Sequence, residues 1–110
     1  MVLIELIDFL KANMNLEIYP HVVPNDGEYP CMVYQVVSEL DRISLNAGGY
    51  QTDFLIQVDI YSKSYKQAQE LKEKFKEALY SFNRPITTLQ ITQTKDEEYY
   101  RTMIEFEIFI

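Results

Sequence analysis

The sequence lacks tryptophan and contains one cysteine, one histidine and three glycines in 110 residues. A single cysteine excludes an internal disulfide and is typical of a protein kept in a reducing cytoplasm. Cys31 and His21 together cannot form a structural zinc site, which needs four Cys or His ligands. Glu5 and Asp8 interrupt the apolar start of the chain, so we expect neither a signal peptide nor a membrane span.

Positive charge is also scarce, since 10 Lys and Arg face 17 Asp and Glu and the net charge is -7. Tight binding to a phosphate backbone needs clustered cations, so nucleic acid is not a favoured ligand. The pair Gly48-Gly49 is not followed by the Lys-Ser/Thr of a phosphate-binding loop.

What the sequence does contain is apolar and aromatic side chains, at 47% and 14% of the residues, with nine Tyr and six Phe. The length predicts a single domain over residues 1–110, with a core that needs neither a metal nor a disulfide. So many tyrosines indicate large contact surfaces as well as a core.

The clearest pattern runs from Gln51 to Phe82. Apolar residues alternate from Phe54 to Ile60, which predicts a half-buried strand over 52–61. Ser64 then stands three residues before Gln67, the spacing of a capping box, and apolar residues recur at helical spacing. Those helical positions are Ala68, Leu71, Phe75, Ala78, Leu79 and Phe82.

The remaining elements follow from similar patterns. A strongly apolar helix is predicted near the start, and it needs two contacts, the sheet and either the second helix or a neighbouring subunit. Further strands are predicted over 31–38, which is apolar on both faces, over 86–94, a polar strand suited to an edge, and over 99–110. Residues 40–50 are predicted to be a long loop. The order α-β-β-α-β-β predicts an α+β fold, an antiparallel four-stranded sheet with two helices packed on one face.

Several of these segments together resemble the tail-completion proteins of long-tailed phages and prophages, also called tail terminators or tail-to-head joining proteins. The resemblance spans most of the chain and depends on the order and spacing of its motifs. They are Tyr29 to Tyr34 after a proline-rich lead, Gln57 to Tyr61, Ser64-Tyr65 with Ala68, and Ala78-Leu79.

The resemblance implies a structural protein of the virion tail, assembled in the host cytoplasm, and not an enzyme. Such a protein forms a hexameric ring that caps the tail tube and contacts the head-side connector. Its expected partners are therefore copies of itself, the tail tube protein and the connector protein. DNA would pass through the ring without specific binding. The family brings no catalytic residue, cofactor or metal site.

A ring needs a patch on one subunit that meets a different patch on the next. The candidates are the apolar first helix, the strand over 31–38 with two apolar faces, and the long loop. A loop that becomes ordered on docking would contact the tube or the connector. Deleting Ser44 to Gly49 without losing tail joining would contradict the loop hypothesis. The predicted subunit or tail contacts are Ile4, Leu6, Phe9, Tyr34, Leu45, Asn46 and Tyr50.

The single cysteine and the acidic strand residues each have a chemical and a structural interpretation. We interpret Cys31 as a small buried residue and not the partner of His21 in a nucleophilic pair. The acidic residues of the strands predicted over 52–61 and 99–110 could hold magnesium, but we interpret them as a solvated sheet face. Those acidic residues are Asp53, Asp59, Glu105 and Glu107.

Tyr99-Tyr100-Arg101 could stack on bases, but strand packing is the simpler interpretation. The alternative function is a small stand-alone ligand-binding or regulatory α+β domain, which predicts a concave apolar pocket. An acidic metal-dependent hydrolase is the third hypothesis, and it predicts activity that is lost on replacing Asp59.

Overall fold

The computed structural model describes residues 2–44 and 49–109. One sheet carries five strands in the order β1-β2-β3-β5-β4, with β1 parallel to β2 and the other neighbours antiparallel. The elements in chain order are α1 (Val2–Met14), β1 (Ile18–Pro20), β2 (Cys31–Ser44), β3 (Gly49–Ser62), α2 (Tyr65–Tyr80), β4 (Ile86–Asp96) and β5 (Tyr99–Phe109).

The α+β class is confirmed, but the prediction of a four-stranded antiparallel sheet is wrong. An additional strand, β1, makes the sheet five-stranded and mixed, so the order α-β-β-α-β-β is incomplete. Ile18 lies opposite Met32, and the N–H of His21 donates to the Tyr34 carbonyl at 2.9 Å. Three residues ending in proline are too few to show a period of two, and so the pattern missed this strand.

The predicted long loop over 40–50 is also wrong for most of its length. β2 continues to Ser44 and β3 begins at Gly49, with Ile43 opposite Tyr50. Cross-strand pairing extends the ladder through residues whose polarity suggested a loop. Similarly, the strand predicted over 86–94 extends further, because Lys95 and Asp96 pair with β5.

The core lies between one face of the sheet and both helices. As predicted, Phe54, Ile56, Val58 and Ile60 are buried on β3, and Ile104, Phe106 and Ile108 are buried on β5. Leu10 of α1 and Phe75 of α2 belong to the same buried cluster. Each large side chain removed from water there contributes roughly 1.5–3 kcal/mol.

The start of α2 has the predicted cap. Ser64 Oγ accepts from the N–H of Gln67 at 3.1 Å, and Gln67 Oε1 accepts from the N–H of Lys63 at 2.8 Å. These bonds satisfy backbone donors that have no partner within the helix. The cap fixes where α2 leaves β3 and therefore how its apolar stripe lies on the sheet.

The first helix ends where Asn15 adopts a left-handed conformation with φ of 54°. Its second contact, left open by the sequence, is α2. The Phe9 and Phe82 rings lie 5.2 Å apart, and Lys74 Nζ donates to the Met14 carbonyl at 3.4 Å. The two helices therefore form one layer over the sheet.

Candidate interaction surfaces

In the part of the chain that the structure describes, the outer edge of β2 is one of two uncovered edges of the sheet, and the other is β4. β1 pairs only with Met32 to Tyr34, and within the described residues no strand pairs with the outer side of β2 from Gln35 to Ser44. An unpaired strand edge presents free N–H and C=O groups to another chain. This stretch is therefore a candidate for contact with a partner.

Large apolar side chains are exposed along the same stretch. Val37 is 48% and Leu40 is 55% exposed, and Val36 beside them is also exposed. A β-bulge falls between Val36 and Ser38, where β2 carries one residue more than β3. Apolar residues beside an unpaired edge are typical of an association site.

Acidic residues accompany these apolar side chains. Glu39 and Asp41 are exposed, and their partners in the register are Phe54 and Thr52. Because Phe54 belongs to the core under the helices, both carboxylates lie on the helix side of the sheet. Asp41 Oδ1 also accepts from Thr52 Oγ1 at 2.7 Å.

The opposite edge of the sheet has a different character. β4 lies at this edge, as its Thr and Gln content predicted. Gln69 Nε2 of α2 donates to Gln93 Oε1 of β4 at 2.8 Å, so this side of α2 faces β4. Residues three, four, seven or eleven positions away share that side. They are Tyr65, Lys66, Lys72, Glu73, Lys76 and Tyr80.

The tyrosines of this α2 side are open to solvent, with Tyr65 65% and Tyr80 64% exposed. Tyrosine is enriched at protein interfaces because it combines a large apolar ring with a polar tip. The β2 edge of the sheet thus carries acidic and aliphatic residues, and the α2–β4 edge carries mainly basic and aromatic residues.

The face of the sheet away from the helices carries an ion pair. Arg101 Nη2 lies 2.8 Å from Asp59 Oδ2, and the Asp59 side chain is only 9% exposed. The hydrogen bond with Asp59 raises the pKa of Arg101 above its usual value. The guanidinium carbon also lies 6.0 Å from the centre of the Tyr61 ring. This pair joins β3 to β5.

Three tyrosines cover the end of this face. The Tyr29 and Tyr99 rings stack with centres 3.9 Å apart, and Tyr61 meets Tyr29 edge-on at 6.1 Å. Burial raises the pKa of both Tyr29 and Tyr61. The Tyr29 and Tyr99 rings cover each other's faces, and the three tyrosines line a groove of about 520 Å³ together with Lys95 and Asp96.

Cys31 pairs with Tyr61 in the register and is fully buried. Burial raises the pKa of its thiol to about 11, so the thiol is protonated at neutral pH. His21 is exposed on the loop after β1. A nucleophile needs the thiolate, and the interpretation of Cys31 as a small buried residue is confirmed.

The acidic residues of the sheet do not come together as a metal site. Within residues 2–44 and 49–109, no three Asp, Glu, His or Cys side chains are placed to hold a metal ion. The interpretation of a solvated face is wrong for Asp53 and Asp59, since both are buried. Asp59 pairs with Arg101, whereas Glu105 is exposed.

The predicted contacts on α1 lie in three environments. Ile4 is 57% exposed and can meet a partner. Leu6 is fully buried in the core with Leu10 and therefore offers no surface, which corrects the prediction at that position. Phe9 is half-buried against Phe82.

The other predicted contacts lie on or near β2. Tyr34 is half-buried and packs against the core. Leu45 and Asn46 lie outside the described residues, and Tyr50 is placed by its backbone pairing with Ile43. Leu40 was not predicted as a surface residue, because its exposure follows from the uncovered edge of β2 and not from a local pattern.

Two further concave regions lie elsewhere among the described residues. A recess of about 190 Å³ lies between α2 and β4-β5, lined by Tyr65, Ala68 and Tyr100 among others. A wider groove of about 600 Å³ lies beside the end of α1, and its lining includes Asp8, Glu17 and Glu28 in addition to Tyr29. The first is small and the second is largely polar.

The comparisons with known proteins add no family. No protein-family model matches the chain, and no curated protein gives a significant match. Neither described helix is long and apolar enough to cross a membrane.

Proposed function

We propose that this chain is a non-enzymatic subunit of a homo-oligomeric ring, which caps the tail tube of a phage or prophage and joins it to the head-side connector. The observation that carries the proposal is the unpaired outer edge of β2, where Val37 and Leu40 are exposed beside acidic residues. An edge of this kind favours association with another protein surface.

The two dissimilar edges of the sheet suit a ring. A head-to-tail contact joins different surfaces of successive subunits, and it closes when the rotation between them divides a full turn. The net charge of -7 suits a channel through which DNA slides, because acidic walls repel phosphates. The resemblance of the motifs to tail-completion proteins supplies the tail tube and connector as partners.

The alternative of a ligand-binding or regulatory domain has less support. It predicts a concave apolar pocket, and small-molecule pockets usually measure roughly 300–1,000 Å³. The apolar recess beside α2 measures only about 190 Å³, and the two larger grooves, of about 600 and 520 Å³, are each lined by several charged side chains.

The first test is the solution mass of the purified protein by light scattering, alone and with isolated tail tubes. The proposal expects a ring-sized particle, or a monomer that binds the ends of tubes. The double variant Val37→Glu with Leu40→Glu should lose both behaviours, because it places charge in the contact. Val22→Glu is the matched control, since Val22 is equally apolar and exposed but lies in the loop before β2. A wild-type monomer that ignores tubes contradicts the proposal.

A further inference from the structure

We infer that the β2 edge of one subunit binds the α2–β4 edge of a second copy of the same chain, with Glu39 and Asp41 facing Lys76, Tyr80 and Arg84. The inference rests on the proposed ring and names the surfaces that would close it. It is carried by charge segregation, by matching levels along the sheet and by the exposed side chains at both edges.

The charges of the chain are strongly segregated. Residues 1–62 contain nine acidic and two basic side chains, whereas residues 63–95 contain seven basic and three acidic ones. Residues 96–110, mostly in the interior strand β5, contain five acidic side chains and one basic. The first segment includes α1, β1 and β2 and ends with β3, and the second contains α2 and nearly all of β4. Opposite charge therefore lies at the two ends of the strand order, which favours attraction between different edges and opposes contact between like edges.

The two edges also match in level along the strands. Residues that pair across successive strands form a row at one height of the sheet. One row contains Val36, Ile56, Phe106 and Leu89, and another begins at Glu39 and ends at Ile86. If a second subunit places its β4 beside β2 with no translation along the strand direction, its Leu89 therefore lies at the same height as Val36. The strand pairings make β4 antiparallel to β2, and the rotation that relates neighbours about an axis along the strands preserves this direction.

The basic residues of α2 lie at the same level. The Phe75 ring is 6.3 Å from the Phe106 ring, which belongs to the row of Val36. Lys76 follows Phe75, and it lies on the side of α2 that faces β4. Arg84 is exposed just before β4, close to the Ile86 row. In an unshifted neighbour, Arg84 is therefore close to the level of Glu39, and Lys76 is close to the level of Val36, two pairs along the strand.

The side chains also share a layer. Glu39 and Asp41 lie on the helix side of β2, which is the layer occupied by α2 in the next subunit. Tyr80 supplies an exposed ring beside Lys76, and Val37 supplies apolar area at the other edge. Interfaces of this composition combine a partly apolar centre with charged residues that fix the orientation of the partner.

The test reverses the charge of each edge separately and measures association by sedimentation at increasing protein concentration. The acidic-edge variant carries Glu39→Lys and Asp41→Lys, and the basic-edge variant carries Lys76→Glu and Arg84→Glu. Each should associate at least ~10-fold more weakly than wild type, and an equal mixture should form complexes that neither variant forms alone. Higher salt should weaken wild-type association, because exposed charges are screened.

Two controls carry the same charge changes elsewhere. Glu97→Lys with Glu98→Lys changes the turn between β4 and β5, and Lys11→Glu with Lys63→Glu changes exposed residues on α1 and before α2. Both should associate like wild type. Circular dichroism checks that each variant is folded. If loss of the Asp41 bond to Thr52 unfolds the acidic-edge variant, Glu39→Lys alone replaces it and should show the same direction of effect.

The possible results separate the inference from the proposed function. A wild type that stays monomeric up to ~1 mM, a weak-binding range, overturns the inference. So does a basic-edge variant that associates like wild type, because that result indicates contact between two β2 edges. If the variants still cap tail tubes as well as wild type does, the tail function stands and the inference fails. If the edges associate as expected but wild type ignores tubes, the tail function fails.

Discussion

The two faces of the sheet are held in different ways. On the helix face, β3 and β5 present Ile56, Phe106 and their neighbours to two helices, and burial of apolar area stabilises the contact. On the other face no described helix covers the strands, and the Asp59–Arg101 pair with the stacked Tyr29 and Tyr99 shields the sheet from water.

The comparison teaches that one sheet can combine a cooperative core with a set of paired contacts. Loss of one side chain from the core leaves a cavity that its neighbours fill only partly. Loss of one member of a pair leaves a single group without its partner, which a second substitution can repair. The faces should therefore respond differently to mutation.

The largest effect is expected on the helix face. Phe106→Ala should lower the free energy of unfolding by about 3–5 kcal/mol, because the ring is fully buried and its loss creates a cavity. Urea denaturation measures the change. Phe109→Ala is the matched control, since this ring on the other face is only half-buried and should lose clearly less. Equal losses would contradict the distinction between the faces.

The next effect concerns pH and Cys31, which lies on the face away from the helices. Below pH 9 the thiol is protonated in both states, so it does not change stability with pH. Its folded pKa is about 11 against an ordinary 9.0, so only the unfolded chain ionises between these values. That favours unfolding by up to about 3 kcal/mol as the pH rises to 11.

Denaturation at pH 8, 9, 10 and 11 tests this linkage, with Cys31→Ala as the comparison. The variant should be less stable than wild type at pH 8 but should lose less stability as the pH rises. An equal decline in the two proteins would show that the thiol is not protected from ionisation. Thiol reagents should likewise react with the folded wild type far more slowly than with the unfolded chain.

A smaller effect is expected at the ion pair. Arg101→Met should lower the free energy of unfolding by about 1–3 kcal/mol, because it leaves the buried Asp59 carboxylate without its cation. The double variant with Asp59→Asn should recover part of that loss, since the uncompensated charge is removed. If the double variant loses more free energy of unfolding than the two single variants lose together, the pairing is contradicted. Thermal or urea unfolding of all four proteins completes the cycle.

The smallest effect is expected where α2 begins. Ser64→Ala should cost about 1 kcal/mol, since Ser64 Oγ no longer accepts from the N–H of Gln67. Ser81→Ala at the other end of α2 is the control, because Ser81 Oγ only donates to a carbonyl one turn earlier and should cost less. The same unfolding assay compares them, and a larger loss at Ser81 would contradict the assignment of the cap.

Repeating patterns made part of this fold predictable. The alternation from Phe54 to Ile60 and the stripe from Ala68 to Phe82 each repeat often enough to identify an element and its buried face. β1 has three residues and shows no period, and the polar residues within 40–44 and 49–50 concealed the continued pairing of β2 with β3.

The surfaces were less predictable, because they depend on strand order. Asp59 and Arg101 are 42 positions apart, and only the adjacency of β3 and β5 brings them together. Likewise, nothing local marks β2 as having an uncovered edge, since that follows from the short length of β1. The exposed Leu40 became recognisable only once the neighbours of its strand were known.

The bulge between Val36 and Ser38 has a consequence for changes in chain length. In a strand, loss of one residue normally turns every following side chain to the wrong face. Val37 is the extra residue opposite β3, so its deletion would leave Val36 beside Ile56 and Ser38 beside Leu55 and convert the bulge into regular pairing. This position is therefore the natural site in β2 for a one-residue deletion that natural variation or protein engineering could tolerate.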